Sequence, residues 1–261
     1  MNDLYTNFNK YFEIVVADTT ELLEHVFRIR YQVLCVEKRL PGFDPEQCPL
    51  QQEKDNYDHH SSHVLLRFRP TGEFIGTVRL ILFNPQQPDK QFPVELNTQL
   101  DPELCNIKEL PRQQMAEISR SVVTKQFDRR ADDRRRDDRR RDDRRKQAIQ
   151  VDGDKRAAVD RRVSDRRSTP HLSLLLMAGV FRMSAKYKIE HLLSVTDPAL
   201  NRLLGYYGLS FDPIGPLVNY HGIRRPYYMN VKGILDKIYE EHRDAWEVVT
   251  DHGKYLPLHS N

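Results

Sequence analysis

Residues 63–83 read His63-Val-Leu-Leu-Arg-Phe-Arg69, Pro70-Thr-Gly-Glu73 and Phe74-Ile-Gly-Thr-Val-Arg-Leu-Ile-Leu-Phe83. Two runs rich in apolar and β-branched residues flank a short turn sequence, the pattern of an antiparallel hairpin. One residue breaks it. Arg79 interrupts the second run, and a central strand rarely buries an arginine unless a carboxylate answers it.

Upstream, Tyr11 to Ala17 alternates as a strand, and Asp18 with Glu21 forms a capping-box signature. Leu22, Val26, Ile29, Val33 and Val36 recur at three and four residues, which predicts a helix to about residue 37, ended by Pro41 and Gly42. The polar loop Gln47–His60 then leads into the hairpin. Downstream, Met115 to Thr124 reads as a strand. Leu172 to Tyr187 reads as an apolar helix opened by Pro170, and His191 to Thr196 as a buried strand. Pro198 to Tyr207 reads as a short helix ended by Gly208, Phe211 to Val231 as two strands around His221-Gly222, and Ile234 to Val248 as one amphipathic helix. This order predicts an α/β domain with a mixed, mostly antiparallel sheet flanked by helices.

Between the two halves the composition changes. Residues 132–146 repeat Asp-Asp-Arg-Arg-Arg three times with one Lys variant, and residues 128–167 hold 17 Lys or Arg against 11 Asp. The formal +3 of the whole chain less this +6 leaves −3 for the remainder. With so few apolar side chains, burial cannot offset an ordering cost of roughly 1–2 kcal/mol per residue, so the segment is expected to be disordered. Its arginines alternate with aspartates and lack aromatic companions, which speaks for a solvated polyampholyte over a nucleic-acid arm. The predicted organisation is residues 1–127 and 170–261 as two halves of one domain, with 128–169 inserted between them.

The 261 residues, 39% of them hydrophobic, suffice for one core. No apolar run approaches the roughly 20 residues of a membrane span, and the N-terminus lacks the regions of a secretory signal, so a cytoplasmic location is expected. Cys35, Cys48 and Cys105 give neither a disulfide framework nor a metal-ligand pattern and are read as reduced thiols. His59, His60 and His63 lack a partner pair for zinc, and no metal is expected.

Charged residues also stand where amphipathicity does not require them. Glu53-x-Asp55-x-x-Asp58 places three carboxylates in one loop, and Arg30 sits among apolar residues of the first helix. Glu117-Ile-Ser-Arg120 occupies the strand before the insert. Residues 117 and 120 face opposite sides of a regular strand, so a shared site requires a bulge or both faces.

The ordered set Arg30 in FRIRYQVL, Glu53/Asp55/Asp58, Arg79 in GTVRLI, Phe92-Pro93 and Glu117 to Arg120 resembles the acyl-homoserine-lactone (autoinducer) synthases. It covers roughly the first 125 residues. Leu34 and Leu40 stand where those synthases usually carry Phe and Trp near the amine-donor site, which argues against S-adenosylmethionine as donor. RYQVLCVE followed by EKDNYDHHSSH is more similar to the acyltransferases that accompany bacterial PEP-CTERM/exosortase systems, which are themselves similar to N-acyl amino acid synthases.

The resemblance implies a GNAT-like fold and attack of a small amine on an acyl thioester. It implies Glu117 as the base, with Arg120 beside it. Arg30, Glu53, Asp55, Asp58, Arg79 and Phe92 would shape the donor and substrate pocket. No bound cofactor is implied beyond the acyl thioester co-substrate. No glycine-rich turn follows the Glu117 strand to receive a pyrophosphate. Acyl-carrier protein is therefore expected over CoA, with the arginine surplus of the insert as its landing area. The rival reading is a binding protein that kept the fold and lost activity, its Arg-rich arm engaging RNA or an acidic partner.

Overall fold

The computed structural model describes residues 4–127 and 171–256. The charged insert expected at 128–169, and Pro170 with it, lie outside the described residues. Helix α1 (Leu4–Tyr11) runs into strand β1 (Phe12–Val16), followed by α2 (Thr20–Arg30) and a π-helical segment (Tyr31–Glu37). The hairpin is β2 (Ser61–Phe68) and β3 (Glu73–Leu82), close to the bounds read from its sequence. A short helix, α3 (Pro93–Asn97), precedes β4 (Met115–Val123). Then come α4 (Leu172–Tyr187), β5 (His191–Thr196), α5 (Pro198–Gly205), β6 (Asp212–Pro213), β7 (Val218–Asn219), β8 (Ile223–Asn230), α6 (Val231–Glu241) and α7 (Arg243–Thr250).

Several local expectations are corrected. The cap of α2 is Thr19, whose side chain accepts the Leu22 N–H, rather than Asp18. The α-helical period stops at Arg30 and continues as π-helix. The single terminal helix expected is two, broken at His242, and α1 was not expected at all.

The sheet runs β1-β2-β3-β4-β5-β8-β6, with β7 paired to β8. Every pairing is antiparallel except β4 with β5. That pair is short. Met115–Ile118 registers with His191–Ser194, and beyond it β4 continues against β3 while β5 continues against β8.

The two faces of the sheet are chemically different. One carries Val64, Leu66, Val78, Leu80, Ala116, Ile118 and Leu192 and packs against α4, α1 and α7 as the main core. Twelve of the sixteen residues of α4 are buried, because its apolar residues surround the helix almost completely. The other face carries two smaller clusters. Leu65 and Val122 pack with Val26, Phe27, Ile29, Val33 and Leu34 of the first helical segment. Ile81, Met115 and Leu193 pack with Phe92, Val94 and Ile214. A band of polar residues lies between these clusters, along the row His63–Arg79–Ser119. No helix among the described residues is long and apolar enough to cross a membrane.

Candidate active site

Strand periodicity puts Arg79, Ser119 and Glu117 on one face: Arg79 registers with Ser119, and Ile81 with Glu117. Arg120 reaches the same side through a bulge. The β3–β4 register shifts between Thr77 and Arg79, and Arg120 takes a left-handed backbone with φ 52°. After this extra residue the parity reverses, so Val122, opposite Thr77, returns to the α2 face. Gly76 accommodates the bulge, since a Cβ there would lie 2.8 Å from the Val122 carbonyl oxygen.

Three arginines and three carboxylates close into one network. Arg30, fully buried, donates from Nε to Glu53 and forks onto Asp58, from Nη1 at 2.6 Å and Nη2 at 3.2 Å. Arg79 donates from Nη1 to Asp55 at 2.6 Å and Asp58 at 2.8 Å, and from Nε to Ser119 Oγ at 2.9 Å. Arg120 donates to Glu53 from Nε and Nη2, and from Nη2 to Asp55 at 2.9 Å. Arg120 Nη1 has no partner among the described residues. Backbone donors complete the loop: the Asp55 N–H reaches Asp58, the Tyr57 N–H reaches Asp55, and the Glu53 N–H reaches the Phe27 carbonyl.

The network is formally neutral, which is how six charges tolerate burial. Burial alone would raise the carboxyl pKa of Asp58, but Arg30, Arg79 and the Asp55 N–H hold it well below the usual range. Glu53 and Asp55 are likewise held down against burial, by Arg30 with Arg120 and by Arg79 with Arg120. Asp55, with a quarter of its side chain exposed (26%), and Arg120, at 15%, form the solvent edge.

Glu117 behaves oppositely. Its residue is 2% exposed against the Phe92, Val94, Ile81 and Leu193 cluster, and burial pushes its carboxyl up to about 8. The Val94 N–H, 2.8 Å from Oε2, together with Arg79 and Arg120, counters burial only in part. A carboxyl with a pKa near neutrality beside fully ionised ones can exchange a proton while they cannot.

Phe92 lies within the apolar cluster, 3% exposed, with the Arg112 guanidinium 4.5 Å from its ring centre, and its N–H is taken by Glu95. It forms part of the packed wall behind Glu117. The other expected residues converge on one face, with Glu117 adjacent to the network that joins Arg30, Glu53, Asp55, Asp58, Arg79 and Arg120.

Four neighbours were not given a role from the sequence. Ser119 is hydrogen-bonded to Arg79. His63 is buried with neither ring nitrogen hydrogen-bonded, 3.7 Å from Asp58, and burial with Arg30 and Arg79 pushes its pKa down to about 4, leaving it neutral. Tyr57 and Tyr220 are half-buried near Glu117 and Asp55, and burial raises both phenols. Alternation with Arg79's partner could have flagged Ser119. Nothing local marks Tyr220, which arrives from the β7–β8 turn.

Residues 29–134 match the model of an acetyltransferase (GNAT) domain. That span contains every residue of the network and Glu117. No curated protein matches the sequence. Among solved structures the chain is similar to BjaI, a CoA-dependent acyl-homoserine lactone synthase solved with MTA, at 17% identity and TM-score 0.51 over 92% of this chain and 88% of that one. It is similar to MesI, also a CoA-dependent acyl-homoserine lactone synthase, at 16% identity and TM-score 0.50 over 92% and 93%. It is similar to FeeM, an N-acyl amino acid synthase from uncultured soil microbes, at 11% identity and TM-score 0.50 over 86% and 93%. At these identities the likeness concerns the fold. The GNAT-like fold expected from the sequence agrees with these matches, and the acyltransferase class agrees with the matched domain.

Proposed function

We propose that this protein is an N-acyltransferase that moves a fatty acyl group from an acyl thioester to the amine of a small donor such as an amino acid. The observation that carries the reading is Glu117: a single buried carboxyl near neutral pKa, adjoining an arginine–carboxylate network whose own members stay ionised. The amine nitrogen attacks the thioester carbonyl, the C–N bond forms, and the tetrahedral oxyanion collapses with cleavage of C–S. Glu117 takes the amine proton, directly or through one water, and the departing thiolate accepts a proton in turn.

The network's role in this reading is to hold the 53–58 loop against the sheet. Arg30 commits all three nitrogens to Glu53 and Asp58, and Arg79 is almost wholly buried, so neither presents a donor at the solvent edge. Arg120 is different, because its free Nη1 at the solvent edge can meet a donor carboxylate while Asp55 meets its ammonium group before deprotonation. The separation of β4 from β5 beyond Ile118 and Ser194 supports the thioester arm entering there, where unpaired strand edges can bond its amides.

The arm is common to acyl-carrier protein and CoA, and we favour the carrier protein because no glycine-rich turn follows β4. BjaI and MesI are CoA-dependent, and a BjaI structure holds SAM and isopentyl-CoA, which keeps CoA and S-adenosylmethionine as alternative substrates. Association with a bacterial exosortase system and a cytoplasmic location belong to the same proposal. The second reading, an inactive binding protein, predicts no turnover at all.

The test is release of free thiol from acyl-carrier protein or CoA charged with a medium or long chain, with the proteinogenic amino acids or S-adenosylmethionine as donors. Mass spectrometry of the product would identify the amide. Donor-dependent thiol release with a new acyl-amide is expected. Absence of product from every pairing would overturn the enzyme reading.

A further inference from the structure

The backbone donor that reaches Glu117 comes from a helix too short to hold itself. Helix α3 has five residues, far below the length at which a helix persists in water on its own. Its first turn is nonetheless fully assigned. Pro93 has no N–H, the Val94 N–H lies 2.8 Å from Glu117 Oε2, and the N–H groups of Glu95 and Leu96 return to the Phe92 carbonyl at 3.0 and 3.3 Å. Val94 therefore serves Glu117 only while this turn keeps its shape.

Arg112 fixes that shape from outside. It stands in the short turn Arg112–Gln114 that leads into β4, the strand of Glu117. Its Nη1 and Nη2 meet Glu95 Oε1 and Oε2 at 2.9 and 2.6 Å, Nη2 also reaches the Lys90 carbonyl at 3.0 Å, and the guanidinium covers the Phe92 ring at 4.5 Å. Glu95 Oε2 in turn accepts the Phe92 N–H at 2.7 Å, the carboxylate half of a capping box. One side chain thus ties down three points of residues 90–95. The pair lies mostly out of solvent, with 26% of the Arg112 side chain and 12% of the Glu95 side chain exposed.

We propose that Arg112 and Glu95 are positioning residues for Glu117, clamping the start of α3 so that the Val94 N–H stays on the carboxylate. The proposal rests on Glu117 being the base. The clamp also sets the charge beside it. Around Glu117 stand Arg79 of β3, Arg120 of β4 and Glu95 of α3, with the phenols of Tyr57 and Tyr220 nearby and Leu193 of β5 in register. Glu95 is the anion of that set, and Arg112 neutralises it. Removing Arg112 loosens the Val94 donor and uncovers the Glu95 charge, and both effects disfavour the ionised base. Glu95→Gln acts the other way: it keeps an oxygen for the Phe92 N–H, removes the repulsion and leaves the Arg112 charge uncompensated.

The test joins the pH profile of kcat/KM for donor-dependent thiol release to a 13C NMR titration of the Glu117 carboxyl in glutamate-labelled full chain. The Glu117 signal is the one missing from Glu117→Gln. In Arg112→Gln the rising limb and the carboxyl titration should both move up by about one pH unit, with kcat/KM about tenfold lower at pH 7. In Glu95→Gln both should move down, and the double variant should return towards the wild type. A purely structural clamp would lower the Tm of the single variants and leave both titrations in place. Unmoved titrations, or shifts of one sign in both single variants, would overturn the proposal. Where Arg112→Gln does not fold, Glu95→Gln decides alone, an unmoved titration there being equally contrary. A carboxyl titration that moves as described in a protein without turnover would uphold the positioning role and overturn only the assignment of Glu117 as base.

Discussion

Arg120 donates to Asp55 Oδ2 at 2.9 Å from a backbone in the left-handed region, where a non-glycine residue carries a local cost of roughly 1 kcal/mol or more. The strain belongs to the bulge that turns Arg120 onto the face of Arg79 and Glu117. A regular strand would have pointed it into the main core.

Arg120→Ala should therefore do two opposed things. It relieves little of the φ strain and removes a cation answered by Glu53 and Asp55, so net destabilisation of about 2–4 kcal/mol in urea unfolding is expected. Arg120→Lys should recover part of that stability and little activity, because an ammonium cannot span two carboxylates and a substrate as a guanidinium fork does. Equal rescue of both quantities by Lys would contradict the assigned role.

Arg30 offers a cleaner test of the network as scaffold. With no exposed surface and bonds to Glu53 and Asp58, its replacement by Ala strands buried charge, and a loss of about 3–5 kcal/mol is expected. High salt should not change this loss much, as screening acts weakly on buried pairs. A loss below about 1 kcal/mol would mean the network contributes little to holding the loop.

Glu117 makes a pH prediction whose sign is opposite to that of its neighbours. Its folded pKa of about 8 lies above the reference 4.5, so its contribution to stability is fully present below about 4.5 and is lost as pH rises through 8. Glu117→Gln, which cannot ionise, should gain on the wild type across that window at a limiting rate of about 1.4 kcal/mol per pH unit. Urea midpoints measured from pH 4 to pH 9 should diverge in favour of Gln at the alkaline end. Parallel curves would show that the carboxyl is not raised.

Gly76 tests the bulge itself. An alanine Cβ would meet the Val122 carbonyl oxygen at 2.8 Å, a backbone atom with little room to move, so Gly76→Ala should destabilise by about 1–3 kcal/mol. Circular dichroism melts would measure it. A neutral effect would mean that the β3–β4 register can slip at low cost.

Much of this arrangement was legible in the chain. The 63–83 hairpin, the ends of α4 and β5, and the need for carboxylates around Arg79 all follow from short-range pattern and from the cost of burying a lone cation. What was hidden depends on long-range contacts. The three- and four-residue spacing of Leu22 to Val36 marks one apolar face but did not reveal that the turns from Tyr31 to Glu37 are π-helical. The break at His242 occurs where Gly208 packs against that ring and α6 and α7 fold over the main core. A bulge was one of the two ways the sequence left open for joining Glu117 to Arg120, the other being contributions from both faces, and its position depends on the register with β3. Tyr220 comes from about 100 residues downstream of Glu117, and no local pattern announces its place.

The most direct test is the pH dependence of kcat/KM for donor-dependent thiol release by the wild type and by Glu117→Gln. The wild-type profile should rise through a pKa near 8, and the Gln variant should be at least 100-fold slower with that limb gone. A Gln variant that keeps both the rate and the alkaline limb would contradict the role of Glu117 as base.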